Sequence, residues 1–198
     1  VVNVDQRNGS VEINVDMEVK TFFGALAGIR TLNVPASSVA LVAGKDIEVG
    51  VQLDVTGSMD GQKIQDLREA VGDLAHPALS DPSAQRVRVG LAPYSAGINA
   101  GRFANAVNGN RGATNRCVYE RQVASLQHTD DAPVGSAALK IRSDLSGSVQ
   151  PCPSASVVEL LGDREGDKEK LTAAARTLPA SGTTAGHLGT AWASYLLS

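Results

Sequence analysis

An apolar strand pattern, a polar turn, a helical pattern and a second apolar strand pattern follow one another between residues 46 and 94. No other stretch limits the fold as strongly. Ile47, Val49, Val51 and Leu53 recur with a period of two, and the alternate positions Gly50 and Gln52 are uncharged. That is the composition of a strand buried on both faces. Ile64, Leu67, Val71 and Leu74 then fall at helical spacing with charges between them. Ser58 or Asp60 is placed to cap this helix, and Pro77 to end it. Val87, Val89 and Leu91 give a second strand ending near Pro93. Two strands joined by a helix form a βαβ unit, which predicts a parallel sheet flanked by helices.

Asp54-Val55-Thr56-Gly57-Ser58 lies on the turn between the first strand and the helix. One carboxylate and two hydroxyls gathered there are hard oxygen donors suited to Mg²⁺ or Mn²⁺. Gly57 removes a Cβ from the bend and lets the three side chains sit together. Ligands of α/β sheets bind at the carboxyl ends of the strands, where this turn falls. A second hydroxyl-rich loop, Ser181 to Gly186, contains Thr183 and Thr184 and can approach from the neighbouring strand end. One carboxylate leaves a divalent cation under-neutralised, so an acidic side chain of a protein partner is the expected further ligand. No nucleophile or general base is needed for such docking.

The remainder of the chain is less patterned. Residues 1–44 read as a β-rich extension, with Asn8-Gly9 as a hairpin turn. After it, Val11, Ile13, Val15, Met17 and Val19 alternate with polar residues, and a second extended run passes through Leu32, Val34 and Val39. Thr21 to Ala27 suits a turn or short helix. Residues 45–198 form the α/β domain, interrupted at about 95–165 by an insertion rich in Gly, Asn, Ser and Pro with weak periodicity. Val157, Val158, Leu160 and Leu161 make a short apolar run at its end. Two helical patterns follow: Leu171, Ala174, Ala175 and Leu178 share one face, and Leu188, Ala191, Trp192, Tyr195 and Leu196 another. The charge run Asp163 to Lys170 reads as a solvated helix start, and Asn105 to Asn115 as an exposed loop. His76, His128 and His187 have no ligand spacing.

With 42% hydrophobic residues among 198, the chain can bury a core. A net charge of −3 forces no basic face, so nucleic acid is not an expected partner. The apolar runs are too short to span a bilayer, and a start at Val1 suggests that a targeting segment lies upstream. Cys117 and Cys152 match neither a zinc motif nor a Cys-x-x-Cys pair. Paired, they would staple the insertion and imply an oxidising compartment; two free thiols are the alternative.

Asp54-x-Thr56-x-Ser58 on a strand end, followed by Met59 and a helix, resembles the metal-ion-dependent adhesion site of von Willebrand factor A domains, with Thr for the first Ser. Thr184 best matches that family's distant metal-binding Thr. Three stretches also resemble the TadG-like proteins of tight-adherence (Flp) pilus assembly. They are Leu53 to Met59, Leu91-Ala-Pro-Tyr-Ser95, and Thr184-Ala-Gly-His-Leu-Gly-Thr-Ala-Trp192. The resemblance implies a Rossmann-like, mostly parallel sheet flanked by helices. It further implies a non-enzymatic role in pilus assembly or adhesion. The body would be periplasmic or on the cell surface, with a membrane anchor upstream of Val1. The family's last metal ligand is an Asp after a further apolar strand, expected beyond the final helix; the chain stops at Ser198, so the domain reads as C-terminally truncated. Asp163 follows Leu161-Gly162 but precedes Thr184, the wrong order for that ligand.

The same pentad is also similar to the Asp-Lys-Thr-Gly-Thr of P-type ATPases, which would make Asp54 a covalent nucleophile. Val55 stands where that motif has Lys, and no Gly-Asp-Gly-x-x-Asn-Asp stretch follows. A structural envelope module with a vestigial metal site is a further alternative.

Overall fold

The computed structural model describes residues 2–5, 10–20, 28, 30–41, 46–80, 87–110, 116–123, 132–148, 150–162 and 164–197. Asn8-Gly9, Thr21 to Ala27, His128 and Asp163 lie outside the described residues, as do residues 111–115 of the Asn105–Asn115 segment. The chain divides into two units.

The first unit is a three-stranded antiparallel sheet of β1 (Val2–Asp5), β2 (Ser10–Lys20) and β3 (Thr31–Leu41), in that spatial order. β2 and β3 pair along their whole length, from Ser10↔Leu41 to Lys20↔Thr31. The register follows the pattern, since Val15 opposes Ala36 and Met17 opposes Val34. A slip of one residue would turn one strand's apolar set to the opposite face of the sheet.

The second unit is mixed α/β. Its sheet is built on β4 (Ile47–Asp54) and β5 (Val87–Tyr94), paired in parallel from Ile47↔Val87 to Asp54↔Tyr94 and joined by α1 (Gln62–Ser80). β6 (Ile98–Asn99) follows, then α2 (Ala104–Val107), β7 (Cys117–Arg121), β8 (Leu139–Ile141), β9 (Val158–Leu161), α3 (Asp167–Arg176) and α4 (Gly186–Tyr195). The sheet order is β4-β5-β6-β7-β8, and β9 also pairs with β5.

Alternation along β4 and β5 divides the core in two. Leu53, Val55, Val89 and Leu91 point to one face, where Ile64, Val71 and Ala75 of α1 and Leu171 and Ala175 of α3 cover them. Ala92 and Tyr94 point to the other, with Leu188 and Trp192 of α4 and with Ile98, Val118, Leu139 and Ile141. By the same parity Gly50, Gln52 and Asp54 belong to the α4 face. A Cβ on Gly50 would overlap the Ala193 carbonyl, so glycine is what lets α4 lie against the strand.

Four expectations are corrected. The sheet is not mostly parallel: among the described residues β4–β5 is the single parallel pair, and β6 to β9 all join antiparallel. After β5 the chain reverses tightly, with Ser95 N–H donating to the Gly97 carbonyl at 3.1 Å, instead of crossing over through a helix. The 95–165 insertion is therefore not irregular throughout, since β6 to β8 extend the sheet. Pro77 does not end α1, which continues to Ser80. Proline removes one backbone donor, and near a helix end that single lost bond is tolerated. The Asp163–Lys170 run is not wholly solvated: Asp167 is 3% exposed and accepts from the backbone N–H groups of Gly162 and Arg164 at 3.0 and 3.1 Å.

Cys117 and Cys152 form a disulfide with Cα atoms 5.5 Å apart. No helix among the described residues is long and apolar enough to cross a membrane.

Candidate functional site

β4 delivers Asp54 at its carboxyl end, and β5 places Tyr94 beside it in register. Beyond Asp54 the backbone bends sharply. Thr56 N–H donates to Asp54 Oδ1 at 2.9 Å, an Asx turn that fixes the carboxylate against the following residues. One turn of 3₁₀ helix, Gly57–Met59, comes next. It brings Thr56 Oγ1 and Ser58 Oγ to 3.1 Å from each other. Thr56 is buried and Ser58 exposed, so the hydroxyl pair runs from the interior to the surface.

The second hydroxyl loop is tied to this turn by its backbone. Ser181 N–H donates to the Val55 carbonyl and Gly57 N–H to the Gly182 carbonyl, both at 2.9 Å. Gly182 has φ of +85°, which suits glycine, and a Cβ there would crowd Ser95 Oγ at 3.2 Å. Ala185 N–H donates to the Ser95 carbonyl at 2.9 Å, just before α4 begins. The exposed Thr183 and Thr184 are thus held between two anchors, one on the Asp54 turn and one at the end of β5.

Residues that the sequence pattern did not mark as site residues complete the surroundings. Tyr94 is the register partner of Asp54 on the adjacent parallel strand. Burial raises the Tyr94 phenol above its ordinary value, and the nearby Asp54 charge raises it further, so Tyr94 keeps its proton. Ser95 is fully buried, and its Oγ finds no hydrogen-bond partner among the described residues. Lys63 Nζ donates to the Ser58 carbonyl at 3.2 Å and brings a positive charge to the rim. A signal for Tyr94 and Ser95 was present in the sequence, namely two polar residues ending the strand parallel to the Asp54 strand. Lys63 carried none.

The donor set suits Mg²⁺ or Mn²⁺. Asp54 would supply the charge, and Thr56, Ser58 and Thr184 neutral oxygens. No group of three His, Cys, Asp or Glu side chains suited to a metal occurs among the described residues, so a cation site there depends on hydroxyls. His187 lies on α4 with Nε2 3.1 Å from Glu120 Oε1, and Trp192 is 3% exposed in the core. The Cys117–Cys152 disulfide holds the segment whose Pro151 carbonyl lies beside Gly182.

Comparison of the chain with protein-family models, with curated proteins and with solved structures finds no match.

Proposed function

We propose that this is a non-enzymatic envelope domain that docks a protein partner through a divalent cation held by Asp54, Thr56, Ser58 and Thr184. One observation carries the reading: the paired backbone bonds Ser181 to Val55 and Gly57 to Gly182, which seat the Thr183–Thr184 loop on the Asp54 turn. Two stretches 125 residues or more apart in sequence thereby meet at one strand end. The cation would be Mg²⁺ or Mn²⁺, with an acidic side chain of the partner completing its shell.

The second unit is read as von Willebrand factor A-like. Supporting this are the parallel β4–β5 pair, the antiparallel β9 beside β5, and helices on both faces. With residues 1–44 as a β extension, the TadG-like resemblance points to pilus assembly or adhesion. The disulfide favours a periplasmic or surface location. An anchor upstream of Val1 belongs to the same proposal.

Calorimetric titration of Mg²⁺ and Mn²⁺ tests it. Wild type should bind weakly, Asp54→Ala not at all, and Thr184→Ala about tenfold more weakly, the equivalent of ~1.4 kcal/mol. Equal binding by wild type and Asp54→Ala would remove the site. Phosphate trapped on Asp54 after acid quench with a phosphate donor would replace docking with phosphoryl transfer.

A further inference from the structure

We propose that the apolar face of the β1-β2-β3 sheet is a dimer surface, packed face to face against the same sheet of a second copy of this chain.

The register builds the face. Residues directly opposite each other on paired strands share a side of the sheet. Val15 opposes Ala36 and Met17 opposes Val34, and the period of two puts Ile13 and Val19 with them. Ile13, Val15, Met17, Val19 and Val34 are each between 40% and 57% exposed. Ser38, opposite Ile13, is the only polar side chain on this face among the described residues. The other face carries Glu12, Asp16, Glu18 and Lys20, and there Asn14 Nδ2 donates to Glu12 Oε1 at 3.0 Å. One side is thus built for water and the other for burial. A sheet with one apolar face needs a second layer to cover it. Among the described residues of this unit there is neither a helix nor a second sheet to do so.

Charge and size point to a second copy as that layer. The face holds no charged residue among those described, so nothing on it selects a partner of opposite charge. An uncharged, apolar surface is complementary to itself, as a twofold interface requires. Two such sheets stack about 10 Å apart with their strands nearly aligned. β2 and β3 are each 11 residues long. At about 3.4 Å per residue and about 4.8 Å between strands, the face covers roughly 400–500 Å². Two copies would bury about 800–1,000 Å², the lower limit for a specific interface, so association should be weak and reversible. Pairing along the sheet edge is the other route to a dimer. β3 is an edge strand, and Pro35 at its middle removes a backbone donor, which guards that edge. The mostly acidic opposite face disfavours an anionic lipid surface as the occupant.

The test is sedimentation velocity of the full chain between about 1 and 100 μM, a range that brackets a weak interface. Wild type should pass from one copy towards two across that range. The Val15→Thr, Met17→Thr double variant removes apolar surface while keeping strand propensity, so its far-ultraviolet circular dichroism should match wild type. Each substitution occurs twice in the dimer, and association should weaken at least about tenfold. Glu18→Thr, on the opposite face, should associate within about twofold of wild type. Asp54→Ala should also associate like wild type, so loss of the cation site would leave this dimer standing. A wild-type chain that stays monomeric throughout would overturn the proposal. So would a dimer that the double variant leaves intact, or one that Glu18→Thr weakens equally. Co-sedimentation of a monomeric wild type with phosphatidylcholine vesicles would overturn it in favour of a lipid surface.

Discussion

Asp167 sits in a run of charges yet behaves as an interior residue. Burial alone would raise its carboxyl, but the hydrogen bond from Lys170, the backbone N–H groups of Gly162 and Arg164, and the Lys170 charge outweigh burial and hold it below the usual range. Glycine 166, with φ of +84°, turns the chain so that Asp167 can accept from residues before it. A carboxyl with a depressed folded value binds its proton less well in the folded state. Its contribution is full above the unfolded value, near 3.8, and is lost as the pH falls through the lower folded value. Asp167→Asn should therefore cost about 1–3 kcal/mol at neutral pH, because three donors lose a charged acceptor. Urea unfolding at several pH values checks this, and the gap from wild type should narrow in the acid range. At this scale the sequence was a partial guide. Asp54, Thr56 and Ser58 are adjacent and announced themselves by residue type. Tyr94 and Ser95 left a weaker signal, two polar residues ending a strand, because their place beside Asp54 depends on strand pairing.

Among the elements, legibility followed length and period. β4, α1, β5, α3 and α4 could be read because each repeats its apolar residues over two or more turns or pleats. β6 spans two residues and β8 three, too few for any period to show. The backbone bonds that hold β6 and β7, such as Ala100 N–H to the Arg116 carbonyl at 2.8 Å, leave no mark on side-chain pattern. Glycine carries the element-scale prediction. A Cβ on Gly50 would overlap the carbonyl of Ala193, a backbone group that cannot yield without moving α4, whereas one on Gly72 of α1 meets nothing within 4 Å. Gly50→Ala should destabilise by about 3 kcal/mol through overpacking. Gly72→Ala should stabilise by roughly 0.5–1 kcal/mol through helix propensity and a less flexible unfolded chain. Urea midpoints moving in opposite directions at constant slope would meet both expectations; two shifts of the same sign would contradict the close seating of α4 on β4.

For the molecule as a whole, the segment after residue 150 has little apolar surface to hold it, and it is fastened by other means. The Cys117–Cys152 disulfide ties it to β7. Tyr119 donates its hydroxyl to the Gln150 carbonyl at 2.7 Å, and Asn99 Nδ2 donates to the carbonyls of Pro153 and Ser154 at 3.2 and 3.0 Å. Val157 N–H then reaches the Asn99 carbonyl at 2.9 Å, where the chain enters β9. These bonds act in the folded state, while the disulfide acts mainly on the unfolded one by closing a loop between cysteines 35 positions apart. Chain entropy puts its contribution at roughly 3–4 kcal/mol. The Cys117→Ser, Cys152→Ser double variant should lose about that amount in urea unfolding, with a steeper slope because its unfolded chain exposes more surface. Near-ultraviolet circular dichroism of the folded variant should stay close to wild type, since Tyr119 and Asn99 still hold the segment. A loss below about 1 kcal/mol would mean that the unfolded chain already keeps these residues together, because the entropy of loop closure is recovered only when the reduced chain is free to separate them.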